Sequence, residues 1–168
     1  MEGFKMSRVG SFNDQSYNDP ELLIVEAPLT FVMDASVCIK WFSSYGEENA
    51  GRAMKLREDF LAKKIYLIAP DLIIYEIVNA LSYNPNFSMA NVIEALGSLN
   101  AMHIKTVSPL PGIMDVAVKL KFVKNISCYD SVYLALARFL NIQFITADKN
   151  LFDKVKDLGN ALFLADYN

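Results

Sequence analysis

From Thr30 onward, short apolar runs alternate with longer stretches that carry apolar residues every three or four positions. That alternation of periods predicts strands followed by helices. TFVMD (30–34) reads as a buried strand ending in Asp34, followed by a short helix over 35–44. EENAGRAMKLREDFLAKK (47–64) is an amphipathic helix with an apolar stripe of Ala50, Ala53, Met54, Leu56, Phe60 and Leu61, its charges elsewhere. IYLIAP (65–70) is a second strand, and DLIIYEIVNALSYN (71–84) is a helix ended by Pro85. Ser88 caps a helix reaching about Met102, HIKTV (103–107) is a third strand, and Pro111 opens a helix through Val123. SCYDSVYLALARFL (127–140) is a strongly apolar helix. IQFIT (142–146) is a fourth strand, with a short helix after it broken by Gly159, and ALFL is a fifth strand.

Strands this short and apolar, separated by helices, belong to a parallel sheet covered on both faces. The expected class is α/β. Residues 1–29 form a polar N-terminal extension, although ELLIVEAPLT (21–30) can make a strand or helical turn closed by Pro28. The domain is expected over residues 30–168. In such sheets ligands bind beyond the carboxyl ends of the strands.

Composition narrows the chemistry. The chain has 168 residues and is 53% hydrophobic, which suits one domain with a real core. Two cysteines, Cys38 and Cys128, do not make a disulfide scaffold, and one histidine, His103, leaves little for zinc or Ser-His chemistry. The seven glycines form neither a dinucleotide fingerprint nor a P-loop. Residues 1–30 hold two basic and five acidic groups, and the remainder hold 14 of each. The body is therefore no basic nucleic-acid platform. The N-terminus lacks the apolar core of a signal peptide, and no uncharged apolar run approaches ~18 residues, so a cytoplasmic protein with no membrane span is expected.

Four acids stand out against this background. Asp34 and Asp148 follow the first and fourth strands, at the edge where a site belongs; each precedes a helix, so each is also a natural N-cap. Glu76 and Asn79, three apart, are the only polar residues in LIIYEIVNAL, a helix expected to be buried nearly all round. A buried carboxylate needs a polar partner. Asp130 has capping-box spacing from Ser127, yet it shares a face with Tyr133, Leu134 and Ala137, while Ser131 and Arg138 read as the solvent stripe. Clustered carboxylates repel one another unless a hard cation such as Mg²⁺ or Mn²⁺ sits among them. Such an ion can activate water and bind a phosphate oxygen.

Four segments in order, DAS (34–36), YEIVNAL (75–81), YDSVYLALA (129–137) and ITADKNL (145–151), resemble the PIN domain, and more narrowly the VapC-type ribonuclease toxins. The resemblance implies a three-layer sandwich, a mainly parallel twisted sheet of about five strands with helices on both faces. It implies that Asp34, Glu76, Asp130 and Asp148 form an acidic quartet holding Mg²⁺ or Mn²⁺, with Glu76 as ligand or water-orienting group. Ser36, Asn79 and Thr146 match the polar positions beside that quartet. It further implies an RNA substrate, a homodimer and inhibition by a small antitoxin. The chain departs from the family pattern in the stretch of some 30 residues before the first Asp.

Two other readings share the fold: a housekeeping RNA-processing PIN nuclease without an antitoxin, and a catalytically silent PIN scaffold. A phosphoacceptor receiver domain is excluded by its own requirements. It needs paired acids after the first strand and an Asp after the third, whereas here Asp34 stands alone and the third strand ends in Val107-Ser108.

Overall fold

The computed structural model describes residues 28–43 and 48–168. Its elements in chain order are β1 (Leu29–Met33), α1 (Ala35–Ile39), α2 (Ala50–Leu61), β2 (Ile65–Pro70), α3 (Ile73–Ser82), α4 (Met89–Ala101), β3 (Lys105–Val107), α5 (Pro111–Lys124), α6 (Cys128–Leu140), β4 (Gln143–Thr146), α7 (Lys149–Val155) and β5 (Ala161–Phe163). The predicted alternation is present, and β2 has the predicted bounds. Most of the N-terminal extension lies outside the described residues, and β1 starts at Leu29.

All four strand pairings are parallel, in the order β3-β2-β1-β4-β5. The chain first steps outward from β1 to β2 and β3, then returns to place β4 on the other side of β1. With right-handed crossovers, that reversal puts the two sets of connecting helices on opposite faces. Accordingly α2 packs against β2, while α6 packs on β1, β2 and β4 with α5 behind it. The switch in direction falls between β1 and β4, where a crevice opens at the carboxyl edge of a doubly wound sheet.

The core is apolar and continuous. Phe31, Val32 and Met33 of β1 and Phe144 and Ile145 of β4 are buried at its centre. Helix α6 buries seven consecutive residues, Ser131 to Ala137, because the sheet covers one side of it and α5 the other. This overturns the expected solvent stripe: Arg138 is exposed, but Ser131 is buried, its hydroxyl donating to the Cys128 carbonyl at 2.6 Å.

Other expectations need correction. His103 does not open β3; it takes a left-handed φ of 52° in the turn closing α4, and the strand starts two residues later. Helix α1 stops at Ile39, short of residue 44. On α2, Ala53 and Leu56 are buried as expected, but Leu61 is half exposed and Asp59 is buried instead. Asp59 is tolerable there because Lys55, Lys64 (3.1 Å) and the Tyr167 hydroxyl (3.0 Å) all donate to it. Trp41 is core, its indole N–H donating to the Ala53 carbonyl at 2.9 Å. Cys38 is buried as an ordinary small hydrophobe, whereas Cys128 is exposed. Among the described residues no helix is long and apolar enough to cross a membrane.

Candidate active site

Six of the seven predicted site residues, Asp34, Ser36, Glu76, Asn79, Asp130 and Asp148, line one cavity of about 830 Å³. The seventh, Thr146, is buried beneath it and bonds directly to Asp34. The four acids come from four separate places: the end of β1, the first turn of α3, the first turn of α6, and the residue before α7. Asp34 and Asp148 flank the β1/β4 switch point, so the cavity sits where the topology opens the sheet.

Asp34 is the most constrained. It stands at the N-cap position of α1, but its carboxylate makes no capping bond. Oδ2 accepts from the Ser36 hydroxyl and the Thr146 hydroxyl, both at 2.6 Å. The same two hydroxyls also accept backbone N–H groups, Ser36 from Ala147 and Thr146 from Asp148, each at 3.0 Å. Because the second strand-end segment is tied to the first through these hydroxyls, Asp34 and Asp148 are held in fixed relation. Burial pushes the Asp34 carboxyl up to about 6; the two hydroxyl bonds work against that rise, and the charges of Asp130 and Asp148 add to it.

Glu76 is half-buried, and its partner is Tyr133 of α6, whose hydroxyl donates to Oε2 at 2.6 Å. Partial burial raises Glu76 to about 7 against the lowering effect of that bond, with Asp34 and Asp130 pushing the same way. Asn79, expected to be buried beside Glu76, is exposed at the cavity. Asp130 and Asp148 each make the expected capping bond and also line the cavity. Asp130 completes a capping box, accepting from the Ser127 N–H at 3.3 Å, and Asp148 accepts from the Leu151 N–H at 3.0 Å. Each cap uses one carboxylate oxygen, so capping does not consume the group.

The sequence reading missed Tyr133 as a site residue, although it lies one turn after Asp130 on the face already identified. It also missed Tyr75 and Tyr129, which line the cavity directly before Glu76 and Asp130. Their signal was adjacency to those acids inside YEIVNAL and YDSVYLALA. Lys149, next to Asp148, pairs with Asp153 at 2.7 Å.

Among the described residues no three His, Cys, Asp or Glu side chains close into a ready metal cage. The donors around the cavity nevertheless fit a hard divalent ion. The four acids all offer oxygens, and two of the carboxyls are destabilised in their charged form, first by burial and then by neighbouring charges. Mg²⁺ in particular keeps several waters and is held by one or two carboxylates plus substrate phosphate rather than by an all-protein cage.

A doubly wound parallel sheet with carboxylates gathered at its switch point is a class with known relatives. The family model for the PIN domain matches residues 31–158, and the chain belongs to that family. Among solved structures it is similar to PAE2754 from Pyrobaculum aerophilum, at 21% identity and a TM-score of 0.57 over 83% of this chain and 93% of that one. It is also similar to Mycobacterium tuberculosis VapC20, a sarcin-ricin loop cleaving toxin, at 16% identity and a TM-score of 0.56 over 74% of this chain and 93% of that one. A comparison with curated proteins found no match. Family membership supports a nuclease.

Proposed function

We propose that the protein is a Mg²⁺- or Mn²⁺-dependent endoribonuclease, the toxin of a toxin–antitoxin pair, acting as a homodimer in the cytoplasm. The observation that carries the reading is the convergence of Asp34, Glu76, Asp130 and Asp148, from four elements, on one cavity at the carboxyl edge of the sheet. Supporting it are the PIN family match, a family whose nucleases generally use divalent ions, and the VapC neighbour.

In this reading Asp34, Asp130 and Asp148 would hold the ion, which when bound would supply positive charge for a phosphate oxygen and for activating a water. Ser36 and Thr146 fix Asp34 through its Oδ2, so Oδ1 is the oxygen that would meet the ion. Glu76 keeps Oε2 on the Tyr133 hydroxyl and offers Oε1 to the attacking water. A carboxyl raised toward neutrality is matched to taking that proton, since a general base works best with a pKa near the operating pH. The net neutral body gives RNA no basic track, so binding at the site depends on the ion.

The test is cleavage of a mixed RNA pool by the full chain with Mn²⁺, with EDTA, and with Asp34→Asn. Cleavage lost in both EDTA and the variant supports the reading. Cleavage that persists in either overturns it. Co-purification with a small protein encoded by the adjacent gene supports the toxin assignment, and the absence of such a gene favours an RNA-processing role.

A further inference from the structure

Three tyrosines lie in series along the mouth of the acidic cavity. Tyr129, at the start of α6, is 64% exposed, and Tyr75 on α3 is 76% exposed; both line the cavity with the four acids. From Tyr75 the surface continues into a second depression along α3 lined by Asn79 and Tyr83, the latter 82% exposed. Tyr75, Asn79 and Tyr83 are spaced four apart, so they form one stripe on the helix, ~12 Å from first to last at 1.5 Å per residue. Tyr75 and Asn79 belong to both depressions, which makes the path continuous from the carboxylates to Tyr83.

These rings lie largely outside the core. The tyrosine hydroxyls with hydrogen bonds among the described residues are those of Tyr133 and Tyr167, and both of those side chains are buried. The three rim tyrosines leave ring surface in water beside a cavity whose charged lining groups are all carboxylates. Aromatic faces stack on any base, whereas in an A-form duplex the bases are already stacked and paired.

We propose that Tyr129, Tyr75 and Tyr83 form a base-stacking path for the RNA strand: Tyr129 and Tyr75 take bases on either side of the phosphate to be cut, and Tyr83 takes a base farther along the strand. Asn79, between two of the rings, offers an amide to a base edge or sugar hydroxyl. The proposal rests on the ribonuclease reading and adds the residues that grip the strand beside the acids.

The experiment uses the full chain carrying Glu76→Gln as a non-cleaving background that keeps Asp34, Asp130 and Asp148 for the ion. A fluorescein-labelled 12-nucleotide RNA of mixed sequence, and the same strand annealed to its complement, are titrated by anisotropy in millimolar Mn²⁺. Tyr75→Ala and Tyr83→Ala should each weaken single-strand binding at least about fivefold, the low end for loss of one stacked base. Tyr75→Phe and Tyr83→Phe, which keep the ring, should stay within about twofold of the background protein, and the duplex should bind at least about tenfold more weakly than the single strand. Alanine variants within twofold, phenylalanine variants as weak as alanine, or equal binding of duplex each overturn the stacking path. The same tyrosine substitutions in the otherwise native chain separate the two ideas. Metal-dependent cleavage with kcat/KM unchanged in the alanine variants sinks the path and leaves the nuclease standing. No metal-dependent cleavage by the unsubstituted chain sinks both.

Discussion

The Tyr133 hydroxyl reaches Oε2 of Glu76 at 2.6 Å, tying α6 to α3 beneath the acidic cavity. The tyrosine ring is buried, and its own ionisation is pushed far up by burial and by the Glu76 charge, so it acts as a permanent donor. This bond fixes one oxygen of Glu76 and opposes the rise in its pKa.

Tyr133→Phe removes that donor while preserving the ring that packs beside Phe144. Stability should fall by about 1–2 kcal/mol, the range for a hydrogen bond to a carboxylate that can still hydrate from the cavity. RNA cleavage should fall further than folding accounts for, because Glu76 loses its orientation. Urea midpoints and kcat for the two proteins check this; an unchanged midpoint with unchanged kcat would show that the bond is idle.

Asp34→Asn should remove cleavage and yet raise the melting temperature in EDTA. The charged form of Asp34 is strained by burial and by Asp130 and Asp148, and an amide oxygen can still accept from Ser36 and Thr146. Relief of about 1–2 kcal/mol corresponds to several degrees in a domain of this size. Mn²⁺ should raise the melting temperature of the native chain and do much less for the variant, since only a ligand bound to the folded state stabilises it. Thermal melts with and without Mn²⁺ decide the matter, and a variant that melts lower in EDTA yet responds fully to Mn²⁺ excludes Asp34 from the metal site.

The metal-free protein should lose stability as pH rises from about 4.5 to 7. Asp34 rises from 3.8 to about 6 and Glu76 from 4.5 to about 7 on folding. In that interval the folded state therefore binds more protons than the unfolded one, and stability falls with increasing pH. Asp59 has the opposite sign. Its pKa is lowered to about 2 by Lys55, Lys64 and Tyr167, so its contribution is complete above 3.8 and is lost as pH falls through 2. Maximum stability in EDTA should lie near pH 4–5 by this linkage. Melts across pH 2–8 test it; a maximum at or above pH 7 would show that the acids titrate normally.

Thr146→Val keeps the shape of a buried side chain but strips one hydroxyl from both Asp34 and the Asp148 N–H. A loss of about 1–3 kcal/mol is expected, because the polar atoms left behind are enclosed. Thr146→Ser, which keeps the hydroxyl, should recover most of the activity. Equal activity in the valine and serine variants would remove Thr146 from the site.

The sequence by itself determined the order of strands and helices, the parallel sheet and the placing of Asp34 and Asp148 at strand ends. Those follow from local periodicity and from chain breaks such as Pro70 and Gly159, which do not depend on distant contacts. It also singled out Glu76 and Asp130, because a carboxylate in an apolar helix is conspicuous wherever the helix is placed. Tertiary structure decided the rest. Ser131 is buried because α6 is covered by the sheet on one side and α5 on the other, and no helical period reports how many neighbours a helix has. Asp59 is buried because Lys64 and the distant Tyr167 meet it, and the Glu76–Tyr133 bond joins residues 57 positions apart. A period of 3.6 shows which residues share a face; only the packing of elements far apart in sequence decides what that face meets.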